Sequence, residues 1–227
     1  MTSAVLFDVD FTLIYPGWTF QADGYTAYAA RHGMALDPER FGAAVAAAAP
    51  ILDAEDHRYH HDLFVRYTQA IIEGMGGSGD QCEPCARLMY DEWALCHHFH
   101  LYEDVRPVLE SLAARGLRVG LVSNSHRCLD TFQDHFGLQG LVQASVSSAE
   151  HGYLKPHPSI FHEALRRLEA PAAGTVMVGD SLAHDIDGAL AVGMRGVLLR
   201  REGAPLPPRP GADVPVIRDL HALSAWL

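Results

Sequence analysis

Short apolar runs that stop abruptly at polar or acidic residues recur along this chain, and they restrict its fold more than any other feature. AVLF (4–7) runs into Asp8 and Asp10, LRVGLV (117–122) into Ser123 and Asn124, and TVMV (175–178) into Gly179 and Asp180. Runs this short, apolar on both faces, predict strands buried on both sides, as in a parallel sheet. GVLL (196–199) predicts another strand, VPVI (214–217) a weaker one, and QASV (143–146) a further one. Helical patterns lie between them. Residues 105–115 place Val105, Val108, Leu109 and Leu112 at helical spacing. Residues 128–136 form a shorter pattern stopped by Gly137, and 159–168 align Ile160, Phe161, Ala164, Leu165 and Leu168 on one face. The alanine-rich stretch 182–192 ends at Gly193, a good helix stop. Strands alternating with helices predict an α/β fold, a mostly parallel sheet with helices on both faces.

One segment breaks this alternation. Residues 17–98 show no convincing strand and predict helices over 19–32, 37–49, 54–74 and 80–98, with the flexible GMGGSG (74–79) between the last two. The expected organisation is therefore a core of 1–15 and 99–227, interrupted by a helical bundle over 16–98 that packs over one end of the sheet. The Pro- and Gly-rich stretch 203–215 predicts a surface linker before a short terminal strand and helix.

Composition narrows the class of partner. Of 227 residues, 48% are hydrophobic and 20% charged, enough to bury a core. Asp and Glu number 28 against 17 Lys and Arg, a net charge of −11, which disfavours nucleic acid and anionic membrane surfaces. The N-terminal MTSAVLFDVD has no basic start, and the longest small-apolar stretch, 43–52, contains Pro50 and is far below the ~20 residues that span a bilayer. A soluble, cytoplasmic protein, monomer or homodimer, is expected. Four cysteines in a chain this long are not a disulfide scaffold. Cys82-x-x-Cys85 with Cys96, His97, His98 and His100 raises the question of zinc, but a clean second pair is missing, so reduced, partly buried thiols are expected.

The polar residues at the ends of the apolar runs carry the chemistry. In an open parallel sheet, ligands bind outside the carboxyl ends of the strands. Asp8, Asp10, Asp180 and Asp185 would converge there, and a group of carboxylates suits a hard, six-coordinate cation, most naturally Mg2+. Ser123 brings a hydroxyl and backbone N–H groups, read as the start of a helix and hence an anion site. Lys155, in GYLKPHPSIF (152–161), is the only lysine in the chain and brings a compact positive charge. Each residue also has a plainer reading: Asp8 and Asp10 as a solvated loop, Ser123 and Asn124 as a helix cap, Lys155 as a surface charge, Asp180 and Asp185 as charges on a helix N-terminus. Asp187 is expected at the surface. Histidines 57, 60 and 61 are read as lying on a helix face or the surface of the insert, with substrate contact by one of them as the alternative. Trp18, Phe20 and Tyr25 are read as its core or as the substrate mouth.

Taken together, LFDVDFTL (6–13), VSN (122–124), GYLKPHPSIF (152–161) and GDSLAHDIDGA (179–189) resemble the four ordered motifs of the haloacid dehalogenase-like hydrolase superfamily. The resemblance covers residues 1–15 and about 99–200. The insert resembles that family's helical cap by position only. It implies a Rossmann-like three-layer α/β/α core and a Mg2+-dependent phosphatase of small phosphorylated metabolites. Asp8 would be the nucleophile and Asp10 the general acid and base. Mg2+ would be held by Asp8, the carbonyl of Asp10, Asp180 and Asp185. Ser123, Asn124 and Lys155 would hold the phosphoryl group. The family usually has glycine after the second aspartate, where this chain has Phe11.

Neighbouring chemistries of the same fold stay open to different degrees. A 2-haloacid dehalogenase needs no metal and, in the family, has no acidic residue two positions after the nucleophile. A sugar phosphomutase shares all four motifs. A phosphonatase needs a cap lysine that is absent here. A catalytically silent binding protein, with Phe11 as the sign of decay, is disfavoured by the retained acidic residues.

Overall fold

A computed structural model of the chain describes residues 2–53, 56–201 and 214–227. The chain divides into two compact units, Met1–Tyr15 with Leu101–Leu227, and Pro16–His100. In chain order the strands are β1 (Ala4–Phe7), β2 (Ile14–Pro16), β3 (Phe99–Leu101), β4 (Arg118–Ser123), β5 (Ala144–Ser147), β6 (Thr175–Gly179), β7 (Arg195–Leu199) and β8 (Val216–Ile217). Six of them form one sheet in the order β5-β4-β1-β6-β7-β8, and its neighbouring strands are parallel. This is the α/β fold that the apolar runs predict. The short strands β2 and β3, where the chain leaves and re-enters the core unit, have no counterpart in the sequence reading, because three residues are too few to show a period.

The Pro16–His100 unit carries α1 (Ala22–Arg31), α2 (Phe41–Ala48), α3 (His61–Gly74) and α4 (Cys82–Trp93). The predicted helices are present but shorter. The first two begin as 3-10 turns at Trp18–Phe20 and Pro38–Arg40, and the last ends before a separate 3-10 turn, Cys96–His98. The third starts at His61 rather than 54; residues 54 and 55 lie outside the described residues. Phe20 and Tyr25 are buried, whereas Trp18 is 58% exposed.

The core unit continues with α5 (Val105–Ala114), α6 (Leu129–Phe136), α7 (Ser148–His151), α8 (Pro158–Leu168) and α9 (Gly188–Ala191). The apolar face read from the sequence is the buried one on α8: Ile160, Phe161, Ala164, Leu165 and Leu168 pack with Leu6, Val122, Val146 and Met177 of the strands. The stretch 182–192 is not a single helix. Its first part, Leu182–Asp187, is a π-turn in which Ile186 N–H reaches the carbonyl of Ser181, 3.3 Å away. Such wide turns are rare and often mark functional sites. Most of the predicted linker, 203–215, lies outside the described residues. Among the described residues no helix is long and apolar enough to cross a membrane.

The topology fixes where a ligand can sit. Chain order runs outward in opposite directions on the two sides of β1, so β1 lies at the switch point where open α/β sheets bind ligands. Phe7 is in register with Leu121 on one side and Val178 on the other. The next residues of β1, β4 and β6 therefore leave the same sheet edge together, which brings Asp8, Ser123 and Asp180 to one place.

Candidate active site

Asp8, Asp10, Asn124, Lys155, Asp180, Ser181, His184 and Asp185 line a cleft of about 130 Å³ at this edge. At its floor lies Lys155, only 2% exposed. Its ammonium donates to Asp8 Oδ1 at 2.6 Å, to Asp185 Oδ1 at 2.6 Å and to the Val122 carbonyl at 2.9 Å. Those three bonds use all three of its N–H donors. Burial alone would lower the Lys155 pKa, but the Asp185 and Asp8 carboxylates outweigh it and hold the amine above its ordinary value. The one lysine of the chain is thus a buried, fully bonded cation.

The carboxylates outnumber it. One oxygen from each of Asp8, Asp180 and Asp185 lies within 4.8 Å of the others, a group able to hold a metal ion. Burial raises the Asp8 carboxyl well above the usual range; Lys155 opposes this, and Asp185 and Asp180 add to it. Burial likewise raises Asp180, to about 7, with Asp185 adding and Lys155 opposing. Fully ionised, the three carboxylates would exceed the one ammonium by two charges, a state that the raised Asp8 and Asp180 carboxyls disfavour until a cation screens them. That excess, and a donor set made only of oxygen, fit a hard divalent cation.

Asp185 is placed by backbone as well as by charge. Its Oδ2 accepts from Ser181 N–H at 2.9 Å across the π-turn. The carboxyl lies directly over the Cα of Gly179, where any Cβ would overlap it. Gly179 is therefore part of the site for a steric reason that sequence reading did not supply. Asp187 is exposed.

The helix start expected at Ser123 needs correction, and Asn124 makes contacts that the sequence did not predict. Ser123 does not open a helix, since α6 begins only at Leu129. Its buried hydroxyl lies 2.9 Å from Ser125 Oγ and 3.3 Å from Asp10 Oδ2, so its one proton can go to the carboxylate while it accepts from Ser125. Asn124 lines the cleft, but its side chain holds the backbone of Lys155: Nδ2 donates to the Lys155 carbonyl at 3.0 Å, and Oδ1 accepts from its N–H at 2.7 Å. It braces the lysine loop against the end of β4.

Arg127 is the residue that sequence reading missed. It is fully buried, and its Nη1 lies 2.9 Å and 3.1 Å from the two oxygens of Asp10. The Asp10 carboxylate thus faces Arg127 and Ser123 and is not among the three metal-competent carboxylates, so a metal ligand from Asp10 would be its main-chain carbonyl. The only available signal was an arginine between two cleft-bound residues and a helix start, and nothing local marked it as buried.

Phe11 explains the family's preference at its position. Its φ is +63°, the left-handed conformation in which glycine is unstrained. The backbone turn is kept, at a strain of about 1–2 kcal/mol, and the ring is 46% exposed.

Comparison with known proteins gives the family. The sequence matches the haloacid dehalogenase-like hydrolase family over residues 2–193. It is 31% identical over 167 residues to the bovine haloacid dehalogenase-like hydrolase domain-containing protein 3 (Bos taurus), across 74% of this chain and 62% of that one. The match thus spans less than two thirds of that relative. A ribulose-1,5-bisphosphate 5-phosphatase of Halopiger xanaduensis is 30% identical over 208 residues, covering 87% of this chain and 84% of the relative. Among solved structures, a phosphatase of the same family from Thermococcus onnurineus superposes with a TM-score of 0.67 at 25% identity, covering 99% of this chain and 97% of that one. The chain belongs to the haloacid dehalogenase-like hydrolase family.

Proposed function

We propose that the protein is a Mg2+-dependent phosphohydrolase of small phosphorylated metabolites that works through an aspartyl-phosphate on Asp8. The observation that carries this reading is the convergence of Asp8, Asp180 and Asp185 within metal-binding distance of one another beside Lys155, with the Asp10 carboxylate lining the same cleft. Asp8, Asp180 and the Asp10 carbonyl would hold Mg2+, with Asp185 directly or through water; when bound, the ion would screen the carboxylates and draw charge from the phosphoryl oxygens.

The residues then divide the work. Asp8 attacks phosphorus, forming an acyl–phosphate bond as the bond to the leaving oxygen breaks. Asp10, entering this step in its protonated form, gives that proton to the leaving oxygen. In the second half, water attacks the same phosphorus, Asp10 takes the water's proton, and inorganic phosphate leaves Asp8. Lys155 offsets charge on Asp8 and on the transferring group, the Ser123 hydroxyl bonds the Asp10 carboxyl, and chemistry of this kind is mostly positioning plus electrostatics. Arg127 positions Asp10 against Ser123, and Asn124 positions Lys155.

The Halopiger relative, named for a sugar-bisphosphate substrate, supports a small phosphorylated substrate here. A dehalogenase reading is disfavoured because Asp10 lines the same cleft as Asp8. Hydrolysis of p-nitrophenyl phosphate, with and without Mg2+, tests the proposal with Asp8→Asn as control. Mg2+-dependent turnover abolished in the control is the expected result. Absence of such turnover, or halide release from a 2-haloacid, would overturn it.

A further inference from the structure

The cap-position unit carries a second cluster of ligand-type side chains that the proposed chemistry does not use. Glu92 lies on the last turn of α4, and His97 and His98 lie on the 3-10 turn Cys96–His98 that follows. One ligand atom from each lies within 4.8 Å of the other two. The two imidazoles are close, with ring centroids 4.0 Å apart. We propose that Glu92, His97 and His98 form a transition-metal site, best suited to zinc.

The donor chemistry selects the metal. Two imidazoles and one carboxylate suit zinc rather than Mg2+ or Ca2+, which take oxygen donors. Three protein ligands leave a fourth position for water or an added anion. The cysteines that first raised zinc are not the ligands: Cys82, Cys85 and Cys96 are buried free thiols, and the metal-competent groups among the described residues contain no sulfur. The histidines of that sequence cluster instead find a carboxylate that the spacing does not advertise.

The surroundings support the same assignment. His98 Nε2 lies 2.6 Å from Glu92 Oε2, and its Nδ1 lies 3.1 Å from Thr19 Oγ1. With zinc on Nε2, the Nδ1–H tautomer would donate to Thr19 Oγ1, which would orient the ring as outer hydrogen bonds do in metal sites. Tetrahedral zinc sets donor atoms about 3.3 Å apart, so Glu92 has to withdraw by roughly 0.7 Å. The Phe20 ring meets the His98 ring edge-on, 5.5 Å between centroids, and shields one side. His97 is exposed and completes the set from solvent. A bound ion would tie the end of α4 to the turn leading into β3.

Calorimetric titration of the full chain with zinc chloride tests this, in an Asp180→Asn background that disables the acidic cleft. The expected result is one zinc per chain at micromolar affinity or tighter. His97→Ala and Glu92→Gln should each weaken binding more than tenfold. Thr19→Val, which keeps shape and removes the hydroxyl, should weaken it about tenfold. His97 is exposed, so its replacement leaves the fold intact, and circular dichroism checks this. No zinc binding, or equal affinity in the His97→Ala and Glu92→Gln chains, would overturn the proposal. No activity is read, so the outcome is independent of the phosphatase reading.

Discussion

Lys155→Arg keeps the charge and removes the shape, so it isolates what a compact ammonium does in this cleft. The ammonium makes three bonds of 2.6, 2.6 and 2.9 Å to acceptors on three different segments. At 2% exposure it is closely enclosed, and a longer, branched head would have to displace its neighbours. A guanidinium is planar and wider, with its donors in a fixed fork, and cannot present three bonds converging on one atom. Forcing it in is an overpacking change that costs about 1–3 kcal/mol of stability. Losing one preorganised contact to a developing charge costs roughly 2.7–4 kcal/mol in the transition state, or about 10²–10³ in kcat. Lys155→Met is the companion variant. It breaks a buried pair outright, at about 3–5 kcal/mol, and in a chain of this size that lowers Tm by roughly 6–20 °C. Initial rates on p-nitrophenyl phosphate at saturating Mg2+, with thermal melts alongside, separate the two effects. The expected pattern is a folded Lys155→Arg enzyme with kcat down at least a hundredfold, and a Lys155→Met protein that is both inactive and markedly less stable. An arginine variant within about threefold of wild-type kcat, on the scale where one contact is worth 10²–10³, would refute the argument.

Other variants probe the remaining supports. Arg127→Met leaves the Asp10 carboxylate without its guanidinium; a loss of about 3 kcal/mol, or roughly 6–12 °C in Tm, is expected together with a fall in kcat, and an unchanged melt would refute the clamp. Gly179→Ala puts a methyl into the Asp185 carboxyl and should cost about 1–3 kcal/mol and most of the activity; a fully active alanine enzyme would show that Asp185 is free to move. Hydrogen bonds from Arg166, and then Arg167, pull the Glu163 carboxyl down to about 2. Its folded pKa is depressed, so its contribution to stability is present above the ordinary carboxylate range and lost as pH falls from there through about 2. Glu163→Gln should therefore melt slightly below wild type at neutral pH, with the gap closing as acid is added; a gap independent of pH would exclude this ion pair as its cause.

Much of the fold was legible because its signals are local. Strands buried on both faces leave continuous apolar runs, and AVLF, LRVGLV and TVMV map onto β1, β4 and β6 within a residue or two. The amphipathic face of α8 was readable for the same reason. Where a local signal was absent or misleading, the reading failed. Three-residue strands show no period. An alanine-rich stretch does not reveal a π-turn. Ser123 and Asn124 resemble a cap in sequence, yet α6 begins several residues further on.

The sequence by itself determined which chemical groups reach the carboxyl edge of the sheet and in what order. Each group follows directly on a strand or a helix boundary, and a chain with a single lysine has one place to put an ammonium. Only the tertiary structure decided what those groups do to one another. Lys155 bonds Asp8 and Asp185 across separations of 147 and 30 residues, and Arg127 holds Asp10 across 117. The cysteine–histidine cluster of the insert lost its thiols to the core while two of its histidines met Glu92. Apolar periodicity reports whether a residue is buried. Which charge lies beside which depends on strand order and loop path, and those are set by packing across the whole sheet rather than by any local stretch.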